Sequence, residues 1–309
     1  MKTIRWLVGG FVAAAIGTAA LAVGGGWESW QDLRVEAAGF DWRVRPWLLA
    51  GATAAAVAAL LLTGRLWALL FHQAGGRVST REAVGAWLGS NLGRYLPGKI
   101  WQLTGIAVYL RARGDSGAAG FGTSLALQAV ILVTGTGVGV ALAGRAAGDA
   151  LDPRLSLALG VVLLATLHPR VIDRVIGLGA RLLREPAPGG RLSGKTLAQA
   201  GAAGIVIWML YGIGFWCLVH GLVPGSSLPP LAAAGIFAIA YVAGYVVLIA
   251  PGGLVVREGA MAALLVAATG IPLGAAAAVA AAARVWTTVA ELIAFGIVVA
   301  GLRRGRETR

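Results

Sequence analysis

Apolar runs about as long as a bilayer is thick recur from one end of this chain to the other. Hydrocarbon offers backbone N–H and C=O groups no water, so such runs are confined to helices or closed barrels, and their length selects helices. Full spans are expected at about 5–25, 47–70, 117–143, 155–168, 196–220 and 275–301. The first run, Trp6 to Val23 behind Lys2 and Arg5, is long for the apolar part of a signal peptide and is read as a retained helix. Charged residues make up only 13% of the 309 residues, and no polar stretch is long enough to form a separate soluble domain. The 47 glycines suit helices that pack closely in lipid.

Two regions do not read as simple spans. The stretch 79–112 is broken at Pro97-Gly98, and 231–270 is broken at Pro251-Gly252-Gly253. A helix over 98–112 would be about 22 Å long, against about 30 Å of hydrocarbon. Each region is therefore either a re-entrant pair or two short spans. The expected fold is an all-α polytopic membrane protein. It has about six full transmembrane helices and two broken or re-entrant helix pairs, giving eight to ten membrane segments.

Net charge is +13, which in a soluble protein would raise nucleic acid as a partner. Here the cations sit mostly in short connections, so they are read as topology signals, with no nucleic acid partner. The 27–46 connection sets Glu28, Asp32, Glu36 and Asp41 against Arg34, Arg43 and Arg45, whereas 169–195 is strongly basic. Basic and non-basic connections alternate if both termini are cytoplasmic and each broken region enters and leaves on one side. The segment 170–184 sets Val171, Ile172, Val175, Ile176, Leu178 and Leu182 against arginines, as an amphipathic helix on a membrane surface would.

The two breaks resemble each other. "LPGKIWQLTG" at 96–105 and "APGGLVVREG" at 250–259 both place Gly eight residues after Pro, at Gly105 and Gly259. On the expected topology they enter from opposite sides, as in an inverted repeat whose broken helices meet near the midplane. The chain then forms one transmembrane domain over 1–309, with repeats at about 1–143 and 155–303. Helices starting near Gly98 and Leu254 would direct free N–H groups and positive dipole ends toward the breaks, where an anion such as phosphate fits.

Charges inside a membrane are costly, about 2.5–3.5 kcal/mol each at a helix centre. Arg94, Lys99, Arg257, Glu258, Arg284 and Glu291 all fall in such positions. Arg284 and Glu291 are seven apart and share a helix face. Structural ion pairing and the lining of a polar cavity both account for the set. Tyr95, Gln102, Gln128, Tyr241 and Tyr245 would line the same cavity, or hydrogen-bond between helices.

Other motifs carry less. "GGRLSGKT" at 189–196 has phosphate-loop spacing but lacks the preceding strand pattern, so it is read as coincidence. His72, His168 and His220 are scattered, and no metal site is expected. Lone Cys217 excludes an internal disulfide.

"SNLGRYLPGKIWQLTG" followed by "APGGLVVREGAM" resembles the lysylphosphatidylglycerol synthase transmembrane-region family, the flippase-like membrane proteins, over roughly 1–303. Members include the N-terminal half of the bacterial multiple peptide resistance factor, which moves aminoacylated phosphatidylglycerol between leaflets. Others are linked to glycolipid, cardiolipin, hopanoid or polyprenyl-lipid pathways. The resemblance implies head-group binding by Arg94, Lys99, Arg257 and Glu258; Arg284, Glu291, Tyr95, Gln102 and Gln128 remain, from their placement, the cavity or charge-balance residues. It implies a flippase-like translocase in the bacterial inner membrane, handling an anionic phospholipid or glycolipid, with no cofactor and no enzymatic step. The alternative is a non-transporting subunit that presents lipid to a glycosyl- or aminoacyl-transferase partner. With the sequence ending at Arg309, the soluble aminoacyl-transferase domain is expected to be missing.

Overall fold

A computed structural model describes residues 27–95, 100–143, 168–186, 188–246 and 256–307. Among the described residues ten α-helices run in order: α1 Trp27–Gly39, α2 Pro46–Gln73, α3 Thr80–Asn91, α4 Ile100–Ala112, α5 Gly117–Ala143, α6 Pro169–Leu183, α7 Gly194–Leu222, α8 Pro230–Val246, α9 Val256–Thr269 and α10 Leu273–Glu307. The protein is an all-α polytopic membrane protein. Among the described residues, four helices are long and apolar enough to cross a membrane: α2, α5, α7 and α10. They match four of the six expected spans. The other two, 5–25 and nearly all of 155–168, lie outside the described residues.

Pro97-Gly98 and Pro251-Gly252-Gly253 lie outside the described residues, and the described part of each broken region holds two short helices. α3 and α4 have 12 and 13 residues, α8 and α9 have 17 and 14. At 1.5 Å per residue these are about 18 to 26 Å long, short of the hydrocarbon thickness. One difference from the sequence reading is α1, which occupies most of the 27–46 connection. Its sequence WESWQDLRVEAAG holds no proline and no internal glycine, so nothing in it breaks a helix.

The chain packs as two compact units. Unit 1 takes in Met1–Ala56, Gly135–Asp152 and Trp208–Ala290; unit 2 takes in Val57–Thr134, Pro153–Ile207 and Glu291–Arg309. The chain passes from one to the other inside α2, α5, α7 and α10.

In unit 1, α8 lies flush against α7. A Cβ added at Gly212 would stand 2.5 Å from the Cα of Ala234, so no side chain fits between the two helices. The helix ends are closed locally. Glu36 of α1 accepts a 2.6 Å bond from the Gly274 N–H in the first turn of α10, an anion on a helix N-terminus. The N–H groups of Arg43 and Arg45 reach the last carbonyls of α7, on Leu222 and Gly221.

In unit 2, α6 starts on His168 as N-cap with Pro169 behind it, and ends on Arg184 in the left-handed conformation. It is amphipathic as expected, but its apolar surface is shared out. Ile172 and Ile176 are buried, with Ile176 against Gly122 of α5, where an added Cβ would meet the Ile176 Cα at 2.7 Å. Leu178 remains 51% exposed and Leu182 more so. The helix is therefore held by protein on one edge of its apolar face, not on all of it.

Three connections of unit 2 are tied together beyond the ends of the long helices. Asp115 accepts from the N–H groups of Arg77 and Val78 at 2.7 and 2.9 Å. Glu185 pairs with Arg111 and accepts from the Ala118 N–H at 2.7 Å. Burial pushes the Glu185 carboxyl up, but the Ala118 N–H and Arg111 outweigh that and hold it below its ordinary value. The Gly190 N–H bonds the Ala74 carbonyl at 3.3 Å. Arg113 pairs with Glu82.

Two outcomes follow from this packing. Gly→Ala in an exposed helix gains stability by about 1 kcal/mol, yet Gly212→Ala is expected to lose about 1–3 kcal/mol because the added methyl overpacks. Gly201→Ala in the same helix, where nothing stands within 4 Å, is the control and should be neutral or stabilising. Thermal unfolding in detergent measures both. For Glu185, the folded state binds fewer protons than the unfolded chain, so its contribution is present above the unfolded pKa and lost as pH falls through the folded one. Stability should therefore drop on acidification below about pH 4.3, and Glu185→Gln should flatten that limb of the pH–stability curve.

Candidate functional site

The residues of the second break build a charged cluster in unit 1. α8 carries Phe237, Tyr241 and Tyr245 at four-residue spacing, one stripe of a helix. α9 packs against α8 and begins at Val256, so Arg257 and Glu258 both fall in its first turn. Arg257 is 7% exposed and Glu258 2%. The Arg257 guanidinium lies over the Phe237 ring at 5.1 Å and over the Tyr241 ring at 5.4 Å, cation–π geometry on both. On α10, Arg284 reaches Glu258 with Nη1 3.5 Å from Oε1.

Local rules favour only part of this arrangement. Glu258 suits the positive end of α9, but Arg257 in the same turn opposes the helix dipole. Arg257 is also buried, in a helix of a membrane protein. The aromatic rings and the neighbouring carboxylate offset that cost. A helix start that breaks its own electrostatic rule and is then supported from α8 and α10 is a site built to hold positive charge. Positive charge held at a helix N-terminus suits an anion.

Of the aromatic part of the cluster, Tyr241 is among the expected cavity residues, and Phe237 with the rings of α7 and α10 is not. Phe237 is its centre: Tyr211 stacks on it at 5.2 Å, Phe215 lies at 5.6 Å, and Trp286 meets it edge-to-face at 5.7 Å. Trp208 lies edge-on to Tyr241 at 5.3 Å. These residues come from α7, α8 and α10, and no sequence spacing links them. The four-residue step from Phe237 to Tyr241 was the one available signal.

The first break lies in unit 2. After Asn91 the chain makes a single tight turn of 3-10 helix, Leu92–Tyr95, which holds Arg94 and Tyr95. α4 starts at Ile100. Lys99, with the Pro97-Gly98 pair, falls outside the described residues. The two sides of the break are joined by Gln102, whose Nε2 donates to the Asn91 Oδ1 at 2.8 Å. Gly93 permits the close approach, since a Cβ there would stand 3.2 Å from the Gln102 nitrogen. Asn91 is buried and had drawn no notice in the sequence.

The other expected residues are placed singly. Gln128 on α5 has a buried Nε2 without a hydrogen-bond partner among the described residues. Glu291 is buried on α10. The structure thus brings Arg257, Glu258 and Arg284 together, while Arg94, Gln102, Gln128 and Glu291 belong to unit 2. Among the described residues of 184–193 none is in a strand ahead of Gly194, and Ser193 caps α7 through the Thr196 N–H at 3.1 Å, so the phosphate-loop spacing is a helix cap. Each histidine has a local backbone partner: Val78 for His72, Arg170 for His168, Trp216 for His220.

The family description "lysylphosphatidylglycerol synthase TM region" matches residues 6–294. The chain belongs to that family. Among curated proteins none matches the chain. Membership of the lysylphosphatidylglycerol synthase TM-region family makes this a multi-pass membrane protein related to lipid modification or flipping. The matched range includes both breaks and the charged cluster on α9 and α10.

Removing one member of a buried ion pair typically costs about 3–5 kcal/mol, because the survivor is left uncompensated. Glu258→Gln is expected to lower stability by about that amount. Combining it with Arg284→Met should recover a large part of the loss. A double-mutant cycle on thermal or denaturant unfolding in detergent measures the coupling.

Proposed function

We propose that the protein is a flippase-like translocase of the bacterial inner membrane, moving a phosphate-bearing phospholipid or glycolipid between leaflets. The observation that carries the reading is the cluster of buried Arg257 and Glu258 at the start of α9 with Arg284 of α10. In this reading both termini are cytoplasmic, as the distribution of basic connections directs. The two broken helix pairs are re-entrant halves of an inverted repeat. Arg94 and Lys99 serve the head group at the first break.

Arg257 binds the phosphate. Its planar guanidinium keeps its rings while donating in-plane N–H bonds to the phosphate oxygens, which a lysine ammonium cannot do. The start of α9 adds the positive end of a helix dipole. Glu258 works against tight binding. Its carboxylate competes with the phosphate for the same cations, so the lipid is held firmly enough to enter and loosely enough to leave. Arg284 balances Glu258 while the site is empty. No bond is made or broken in the lipid, and no cofactor takes part. A lipid-modifying enzyme would supply or consume the lipid at one leaflet.

The test is transbilayer movement of fluorescent phosphatidylglycerol in proteoliposomes. The wild-type protein should speed it well above protein-free vesicles. Arg257→Gln should reduce the rate at least tenfold with the protein still folded, and Arg257→Lys should restore only a small part. A folded wild-type protein that binds anionic lipid yet leaves movement at the protein-free rate would sink the translocase reading. That result would favour a subunit presenting lipid to a transferase.

A further inference from the structure

Trp286 has no part in the function proposed so far. It sits on α10 two residues beyond Arg284, is 6% exposed, and packs its ring against Gly214 of α7. Its indole N–H is buried and has no hydrogen-bond partner among the described residues. Buried donors are nearly always satisfied, and one that is not calls for a specific explanation. Packing alone does not supply it, because phenylalanine would fill much of the same space without a stranded donor. Nor is the membrane a source of relief, since lipid tails offer no acceptor.

Its position supplies a reason. Trp286 meets the Phe237 ring edge-to-face, and the Arg257 guanidinium lies over that same ring. One aromatic side chain therefore carries a phosphate-binding cation and an unpartnered neutral donor in its immediate surroundings. Trp N–H donates and never accepts, so the group it awaits is an oxygen acceptor.

We propose that Trp286 is a specificity-determining residue. Its N–H recognises a neutral oxygen of the lipid close to the phosphate held by Arg257. That oxygen is either a head-group hydroxyl or an acyl ester carbonyl. Lipids that carry such an oxygen are then selected over lipids whose phosphate sits directly on a hydrocarbon chain. The inference rests on the reading of Arg257 as the phosphate ligand. It adds a second contact, which decides between lipid classes of equal charge.

Two probes separate the possibilities. Phosphatidylglycerol offers both hydroxyls and ester carbonyls; dihexadecyl phosphate, a phosphodiester of the same charge, offers neither. Binding to the purified full-length protein is measured for each, by lipid-dependent thermal shift and by competition in native mass spectrometry. Wild-type protein should prefer phosphatidylglycerol by about three- to tenfold, the worth of one hydrogen bond. Trp286→Phe should erase that preference while leaving binding of the dialkyl phosphate unchanged. Diether phosphatidylglycerol, which keeps the hydroxyls and the charge but has no ester carbonyl, identifies the oxygen. If it binds like phosphatidylglycerol, the acceptor is a hydroxyl; if it binds like the dialkyl phosphate, the acceptor is an ester carbonyl.

The competition on wild-type protein decides the matter even where Trp286→Phe folds poorly, since equal binding of the two lipids there overturns the proposal. So does a folded Trp286→Phe protein that keeps the preference; the N–H would then be met by water or left bare. If neither lipid binds the wild-type protein, the reading of Arg257 falls, and this inference with it. If both bind equally and Arg257→Gln abolishes both, Arg257 stands and only the role of Trp286 is lost.

Discussion

Placing charge out of water dominates the energetics of this protein. An arginine at the start of a buried membrane helix loses hydration, opposes the helix dipole and gains nothing from hydrocarbon. It persists only where other elements supply what water would have supplied. Here α8 supplies ring faces, α9 supplies Glu258 beside Arg257, and α10 supplies Arg284 to balance that carboxylate. The packing of three helices is thereby committed to one local arrangement. It is specific because buried charge tolerates few alternatives, whereas apolar helix faces in lipid tolerate many.

The glycines answer the same demand from another direction. Helices in lipid gain little from hiding apolar surface, so close backbone contact must hold them together. At Gly212 and Gly122 the neighbouring backbone stands where a side chain would begin. That contact sets α8 firmly against α7, and it fixes where Phe237 and Tyr241 lie relative to the rings of α7. The cation site is thus a product of helix packing as much as of charge.

The connections of unit 2 follow the reverse logic. There water is available, and acids and bases pair at the surface: Arg111 with Glu185, Arg113 with Glu82, Asp115 on two backbone N–H groups. Surface ion pairs contribute little singly, but each of these also ties one connection to another. The basic residues of these connections are therefore built into the folded protein. The exposed edge of α6, with Leu178 and Leu182, is the part of this layer that keeps an apolar surface.

The sequence by itself determined which stretches are helical and where they stop, because apolar length, proline and glycine act locally. The spans at 117–143 and 196–220 were legible for that reason, and α1 was missed because a mixed-polarity segment carries no such signal. The charged residues of the site were legible too, since a cation inside an apolar run stands out whatever its neighbours are. Tertiary structure alone decided what those charges meet. That Arg284 balances Glu258, that Arg257 rests on Phe237 and Tyr241, and that the Trp286 N–H has no partner among the described residues are facts of contact between separate helices. Contacts of this kind depend on the rotation and depth of each helix against its neighbours. Those are set by shape at residues such as Gly212, and one-dimensional periodicity does not contain them.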